Sequence, residues 1–474
     1  MSRLIVISNR VAVPTAAGGK GAQGGLAGAL HSLVREQDGF WFGWSGETVE
    51  NPATEPRFQT AGGVTTATID LAPQDVEEYY NGYANATLWP LFHYRVDLTD
   101  YRRETAKGYE RVNETFAACV APLIGPDDTL WVHDYHFLPL GARLRARGLS
   151  NRIGFFLHIP WPPTDLLLSL PYHERLVRTV LQYDLIGFQS EEWRDNFLDY
   201  CRRELSAAIN GGTGQITLDG HSTIARCYPI GIDYDDFAAQ GQTGEARQAQ
   251  QRMLSSTRRR TAIIGVDRLD YSKGLPERLD GVARFFETYP GSSREVVLVQ
   301  IAPPSREDVK TYQQIRETLE GRAGRINGEF SEIDLVPVRY VNKGHSAAEL
   351  FGFYRAAKIG LVTPLRDGMN LVAKEYVAAQ DRDDPGVLIL SRFAGAAQQL
   401  TDAVLVNPHS PDAISHAIHT ALKMSLDERR RRWERMHDSV RTQTVQQWAA
   451  DFCRDLAATT PMRTEGRGGL LRHR

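Results

Sequence analysis

Apolar residues fall in continuous runs of strand length, separated by longer polar stretches of helical character. The runs are Leu4–Ser8, Thr129–His133, Ile153–His158, Asp184–Phe188, Thr261–Val266, Val296–Ile301, Ile359–Val362, Val387–Leu390 and Val404–Val406. A strand with one wet face alternates apolar and polar residues. A continuous apolar run is buried on both faces, as in parallel sheets covered by helices. The pattern predicts an α/β, doubly wound chain, with too many strands for one sheet. Two domains are therefore expected, residues 1–235 and 236–444. The division is placed in the polar stretch Asp235 to Arg260, read as a linker and then a first helix. Asn210–Gln215 reads as a Gly-rich surface turn. Glu428–Arg432 reads as the solvated face of a helix. Residues 459–474, rich in Thr, Arg and Gly, are expected to be a disordered tail.

Composition narrows the function classes. The chain has 474 residues, 42% hydrophobic and 24% charged, with a formal net charge of −3. That balance gives no reason to expect nucleic acid or a membrane surface as partner. No apolar run approaches the length of a membrane span. The start, Met1 to Ser8, reads as a first strand rather than a signal peptide. Cys119, Cys201, Cys227 and Cys453 are far apart and form no CxxC pair, which fits a reducing cytoplasm rather than disulfides or zinc.

Two segments carry the chemistry. Arg366-Asp367-Gly368-Met369-Asn370-Leu371-Val372-Ala373-Lys374-Glu375 follows the run Ile359–Val362 and leads into a helix. Free amides at a helix start favour a diphosphate, and a carboxylate one turn later suits ribose hydroxyls. The same pattern also fits an ordinary strand–turn–helix. Thr261–Val266 runs into Asp267-Arg268-Leu269-Asp270-Tyr271-Ser272-Lys273-Gly274. Arg268 and Lys273 then stand at a strand's carboxyl end, where open parallel sheets bind ligands. They are either phosphate ligands or part of a surface turn in which Arg268 pairs with Asp267 or Asp270.

Further strings, in order, carry a resemblance: Ser8-Asn9-Arg10, Gly24-Gly25-Leu26, Trp41 to Gly46, Glu78-Tyr79-Tyr80-Asn81, Leu88-Trp89-Pro90, Trp131 to His136, Gly154 to Pro160, and Tyr228 to Ile232. With the two segments above, they make the chain resemble the trehalose-6-phosphate synthase family from Ser2 to about Leu456. Its members are retaining glucosyltransferases with the GT-B fold, two Rossmann-like domains facing a central cleft. The fold type also implies that a last helix, about 445–458, packs back on the first domain.

The resemblance implies UDP-glucose as donor and glucose 6-phosphate as acceptor. Arg10 and Arg306 would hold the acceptor phosphate, with Tyr80 and Trp89 beside the acceptor. By composition alone, each of these aromatics would be a core residue. Asp134 would orient the attacking hydroxyl. The string His133-Asp134-Tyr135-His136 is not read as a metal site, since adjacent strand residues point to opposite faces. Gly24 and Gly25 would let a loop order over the donor. His158 would contact the glucosyl ring, Arg268 and Lys273 the diphosphate, and Asp367 the transferred glucose. Glu375 would bind ribose, while Leu371 and Val372 would offer backbone amides. A backbone contact to the base is implied near His345, which stands where relatives can carry an aromatic residue. Trp161-Pro162-Pro163 also departs from the family pattern. Asp134, His158, Arg268, Lys273 and Asp367 form the expected catalytic set.

No Asp-x-Asp metal motif is present, so no metal or other cofactor is expected. The resemblance implies front-side attack, with the leaving phosphate helping to take the acceptor proton. Family members are often homo-oligomers, which implies a homodimer or homotetramer. Readings with GDP- or ADP-glucose, a cyclitol donor, a glycogen-synthase-like polymerase or a non-catalytic sugar-phosphate sensor share the fold.

Overall fold

The computed structural model describes residues 3–11, 30, 34–35, 38–257, 260–304 and 310–461. The chain divides into two compact units, Met1–Tyr228 with Trp448–Arg474, and Pro229–Gln447. These divisions lie a few residues from the boundaries expected at 235 and 444.

The first unit holds β1 (Leu4–Arg10), β2 (Phe40–Thr48), β3 (Arg57–Ala61), β4 (Val64–Leu71), β5 (Thr129–His133), β6 (Ile153–Phe156), β7 (Leu185–Phe188), β8 (Ala208–Asn210), β9 (Gln215–Leu218) and β10 (His221–Cys227). They form one sheet in the order β3-β4-β2-β1-β5-β6-β7-β10-β9-β8. Strands β4 to β10 in that order pair in parallel; the two ends are antiparallel. The sheet order reverses between β1 and β5. Strand β6 stops at Phe156, two residues short of the expected His158. The His158 N–H leaves the ladder and donates to Asp134 Oδ1 at 3.2 Å.

The second unit holds β11 (Thr261–Val266), β12 (Val296–Ile301), β13 (Val338–Val341), β14 (Ile359–Val362), β15 (Val387–Ser391) and β16 (Val404–Val406). The order is β13-β12-β11-β14-β15-β16, parallel throughout. This is the doubly wound order, whose ligand crevice lies where the order reverses, between β11 and β14.

The helix Val445–Ala457 belongs to the first unit from Trp448 onward. Phe452 stacks on Trp131 at 4.5 Å, and Trp448 lies 5.0 Å from Phe156. A Cβ on Gly154 would come within 2.7 Å of the Phe452 ring, so the strand gives up its side chain there. Order extends past the expected start of the tail. Thr459 is buried, and its carbonyl accepts from Arg152 Nε at 3.1 Å. The rest of the expected tail, from 462, lies outside the described residues. Among the described residues, no helix is long and apolar enough to cross a membrane.

Candidate active site

In the second unit, three loops at the carboxyl ends of the strands are bonded into one platform. The loop after β11 turns at Asp270, whose Oδ1 accepts from the Ser272 N–H at 2.9 Å. It ends at Gly274, with φ of +63°, where a Cβ would stand 2.7 Å from the Thr363 carbonyl oxygen. Only glycine fits that combination of backbone and space. The loop after β14 is tied to the first, since the Leu365 N–H donates to Ser272 O at 2.8 Å. It is tied to the loop after β15 as well. The Asp367 N–H donates to Phe393 O, the Gly395 N–H to Asp367 O, and the Ala396 N–H to Met369 O, at 3.2, 3.1 and 2.8 Å.

Lys273 Nζ reaches Asp367 Oδ2 at 2.5 Å on this platform. Asn370 Nδ2 donates to the same oxygen at 3.1 Å. Asn370 also caps the helix Leu371–Ala379: its Oδ1 accepts from the Ala373 N–H at 3.1 Å, and its φ is +79°. Asn tolerates that left-handed backbone better than most residues. Leu371 and Val372 are the first two helical residues, whose N–H groups precede the first intrahelical bond.

Arg268 is exposed and has no ion-pair partner among the described residues. Both of its local candidates are engaged elsewhere. Asp267 lies 2.6 Å from the fully buried Arg278, and Asp270 caps its own turn. The surface ion-pair reading of this turn is therefore not what the fold adopts.

Glu375 sits one turn into the helix and accepts from the Tyr354 hydroxyl at 3.3 Å. Part of the residue meets solvent, but burial pushes its carboxyl up to about 7. His345 lies at the start of the helix Ala347–Ala356, with Nδ1 3.1 Å from Glu349 Oε2 and its ring edge-on to Phe353.

The first unit builds a second cluster where its own sheet order reverses. Arg10 ends β1 with its guanidinium 5.1 Å over Trp44. Gly46, with φ of +93°, leaves room for it: a Cβ would stand 2.2 Å from Nη2. Trp44 meets Tyr80 edge-on at 5.7 Å, and Tyr80 stacks on His136 at 5.9 Å. Tyr80 lies in a π-helical stretch, Val76–Leu88, closed by an i to i+5 bond from the Trp89 N–H to Ala84 O. Such wide turns recur at functional sites. The stretch is anchored to β1 by Tyr79, whose hydroxyl donates to Asn9 Oδ1 at 2.8 Å.

Asp134 follows β5 with φ of +77° and ψ of 167°, an extended left-side conformation that costs energy for a non-glycine residue. Its amide donates to Phe156 O at 2.8 Å, and Oδ1 takes the His158 N–H. His158 Nε2 is 3.1 Å from His133 Nδ1. Burial pushes the His158 imidazole down to about 3, so it is neutral.

Two such clusters, each at a sheet's reversal point, call for one family across the whole chain. A family model, glycosyltransferase family 20, matches residues 2–458. The chain belongs to glycosyltransferase family 20.

Relatives agree over almost their full length. A trehalose-6-phosphate synthase of Sinorhizobium fredii is 48% identical over 463 residues, covering 97% of this chain and 99% of the relative. A UDP-forming α,α-trehalose-phosphate synthase of Burkholderia xenovorans, solved in complex with glucose 6-phosphate, is 46% identical with a TM-score of 0.92. It covers 96% of this chain and 100% of its own. An E. coli structure bound with UDP-2-fluoro glucose is 43% identical with a TM-score of 0.92, covering 97% and 100%. The two sheets are those of a GT-B glycosyltransferase.

Within this family 20 chain, Arg268, Lys273, Asp367, Leu371, Val372 and Glu375 share one platform. Arg10 and Tyr80 share another corner, joined by Trp44; Asp134 and His158 are bonded to each other. Trp89 is buried, with its ring 4.3 Å from His93 and 5.6 Å from Tyr135. Gly24, Gly25 and Arg306 lie outside the described residues. Sequence reasoning assigned no role to Trp44, Asn370, Arg278 or Lys374, and it offered Asp267 only as a partner for Arg268. Lys374 is buried; its Nζ donates to Ile230 O and Gln399 Oε1, both at 2.6 Å, and burial pushes it down to about 7. Asn370 had a local signal, an Asn just before a helical run. Arg278 had none, since its partner Asp267 is set by packing.

Proposed function

We propose that the protein transfers glucose from UDP-glucose to glucose 6-phosphate with retention, giving α,α-trehalose 6-phosphate and UDP. The observation that carries this reading is the donor platform. An exposed Arg268, the Lys273–Asp367 pair and a capped helix start converge at one reversal point, in a chain 48% identical to a trehalose-6-phosphate synthase.

Each group has a chemical task. Arg268, Lys273 and the amides of Leu371 and Val372 stabilise negative charge on the leaving diphosphate. Asp367, now holding Lys273, accepts from hydroxyls of the transferred glucose. Glu375 accepts from the ribose. Arg10, with Arg306, binds the acceptor phosphate, and Tyr80 and Trp89 border the acceptor. Gly24 and Gly25 let the backbone approach the donor. Asp134 orients the attacking hydroxyl, and the leaving phosphate takes its proton in a front-side displacement. With two cations on the diphosphate, no metal is required. A cytoplasmic homodimer or homotetramer completes the proposal; free cysteines support the compartment.

The test is nucleotide release from UDP-, GDP- and ADP-glucose, each with and without glucose 6-phosphate and EDTA. The product linkage is read by NMR. Acceptor-dependent UDP release that survives EDTA, with an α,α-1,1 product, is expected. Loss of activity in EDTA that magnesium restores refutes metal independence. Preference for another base moves the donor, and no turnover with any donor overturns the synthase reading.

A further inference from the structure

Strand β5 pairs with β6 so that His133 lies beside Phe156, two residues before His158. The two imidazoles stack with centroids 5.4 Å apart, and His133 Nδ1 meets His158 Nε2 at 3.1 Å. Aromatic groups surround them. Trp131 lies 4.6 Å from His133, Phe156 4.8 Å from His158, and Trp448 lies 6.3 and 6.0 Å from the two rings. Burial lowers both imidazoles far below the usual histidine range, so both rings are neutral.

Two neutral imidazoles carry two protons on four nitrogens, and one proton must lie in the bond between them. If His158 Nε2–H donates, His133 must carry its proton on Nε2. That nitrogen is buried and has no hydrogen-bond partner among the described residues. If His133 Nδ1–H donates instead, its Nε2 is a bare lone pair. Buried N–H groups without an acceptor are rarer and costlier than unused acceptors. The second arrangement puts the His158 proton on Nδ1. The Gln189 side-chain nitrogen stands 3.5 Å from that atom. The tautomer therefore requires the amide to be turned over, an exchange of two atoms of nearly the same shape, so that its oxygen accepts from Nδ1–H.

We infer that His133 is a positioning residue that locks His158 in its Nδ1–H tautomer, making His158 a hydrogen-bond donor on the ring edge away from His133. That a sugar-nucleotide oxygen takes this bond over from the Gln189 amide rests on the function proposed above; the tautomer itself does not. The rejected reading of His133 as a metal ligand thus gives way to a role behind the site.

The experiment is a two-bond 1H–15N correlation spectrum of the unliganded full-length protein, labelled with 15N-histidine. Spectra of His133→Asn and His133→Leu follow, with steady-state kinetics of all three. His158 should be protonated on Nδ1 in the parent. It should shift toward the Nε2–H form in H133L and return toward the parent state in H133N, whose amide can donate from a similar position. Relative to the parent, kcat/KM for UDP-glucose should fall roughly five- to tenfold in H133L and largely recover in H133N. A parent spectrum with His158 protonated on Nε2 overturns the inference, whatever the variants do. Equal impairment of H133L and H133N overturns it too, as a packing effect. Absence of transfer in the parent enzyme defeats the proposed function while leaving the tautomer to the spectrum.

Discussion

Glu375 offers a pH dependence that can be worked out beforehand. Its carboxyl, pushed up to about 7 by burial, is close to half ionised at neutral pH. If the ribose is held by the carboxylate, only the ionised fraction binds well. That fraction is about one in eleven at pH 6 and about ten in eleven at pH 8, for a group titrating near 7. Affinity for UDP-glucose should therefore rise about tenfold over that range, about 1.4 kcal/mol, and flatten above it. The sign follows from the raised value: burial disfavours the charged form, and a ligand that needs the charge must displace the proton. UDP-glucose is the right probe, because free UDP carries a terminal phosphate that titrates near pH 6 itself. Calorimetric titrations at pH 6, 7 and 8 on the parent and on Glu375→Gln measure the effect. The variant should bind weakly and almost independently of pH. A parent affinity that is flat or falls with pH, or a variant that keeps the tenfold rise, would refute the assignment.

Arg278→Met should destabilise the second unit by roughly 3–5 kcal/mol, because it strands a buried Asp267 carboxylate. For a unit of this size that is a fall in Tm of roughly 6–20 °C. Asp267 already titrates above the usual carboxylate range through burial, so the deficit should grow as pH rises through its folded-state value and shrink as pH falls. Adding Asp267→Asn should recover much of the loss, and a double variant no better than the single one would count against the pairing. Arg10→Ala should raise KM for glucose 6-phosphate roughly 10- to 100-fold, the worth of a charge-assisted bond, and leave KM for UDP-glucose unchanged. An equal rise for both substrates would move Arg10 out of the acceptor site.

What the sequence made legible follows from burial. Ile359–Val362 and Val296–Ile301 are covered on both faces, so their apolar runs are unbroken and their bounds are read correctly. Strand β10, His221–Cys227, mixes buried and wetter positions near the antiparallel end of its sheet, and its polar residues hid it. Strand β2 carries Gly43 and Ser45 among its aromatics, which breaks the β-branched pattern expected of a strand. The motifs that follow the runs starting at Ile359 and Thr261 contain the residues that the fold gathers on one platform, which are the ones proposed for the donor. The ion pair between Lys273 and Asp367 spans 94 positions and depends on β11 lying beside β14. Arg268 shows the same limit from the other side. Two acids lie within two positions of it, yet Asp267 is taken by a helix residue eleven positions along. The contacts of His133 with His158 and of Trp44 with Tyr80 likewise come from sheet pairing and from a π-helical winding, neither of which leaves a local signature.

The helix that carries Trp448 and Phe452 sets a timetable. The chain leaves the first unit after Tyr228 and rejoins it only at Trp448. At elongation rates of about 5–20 residues per second, roughly 10–45 s separate those two points on a ribosome. During that interval Trp131 and Phe156 wait without the rings that cover them in the finished protein. The unit that begins first is thus the one whose core closes last. A nascent chain halted anywhere before residue 448 exposes an aromatic face that a complete one buries, which makes full-length translation itself a folding checkpoint.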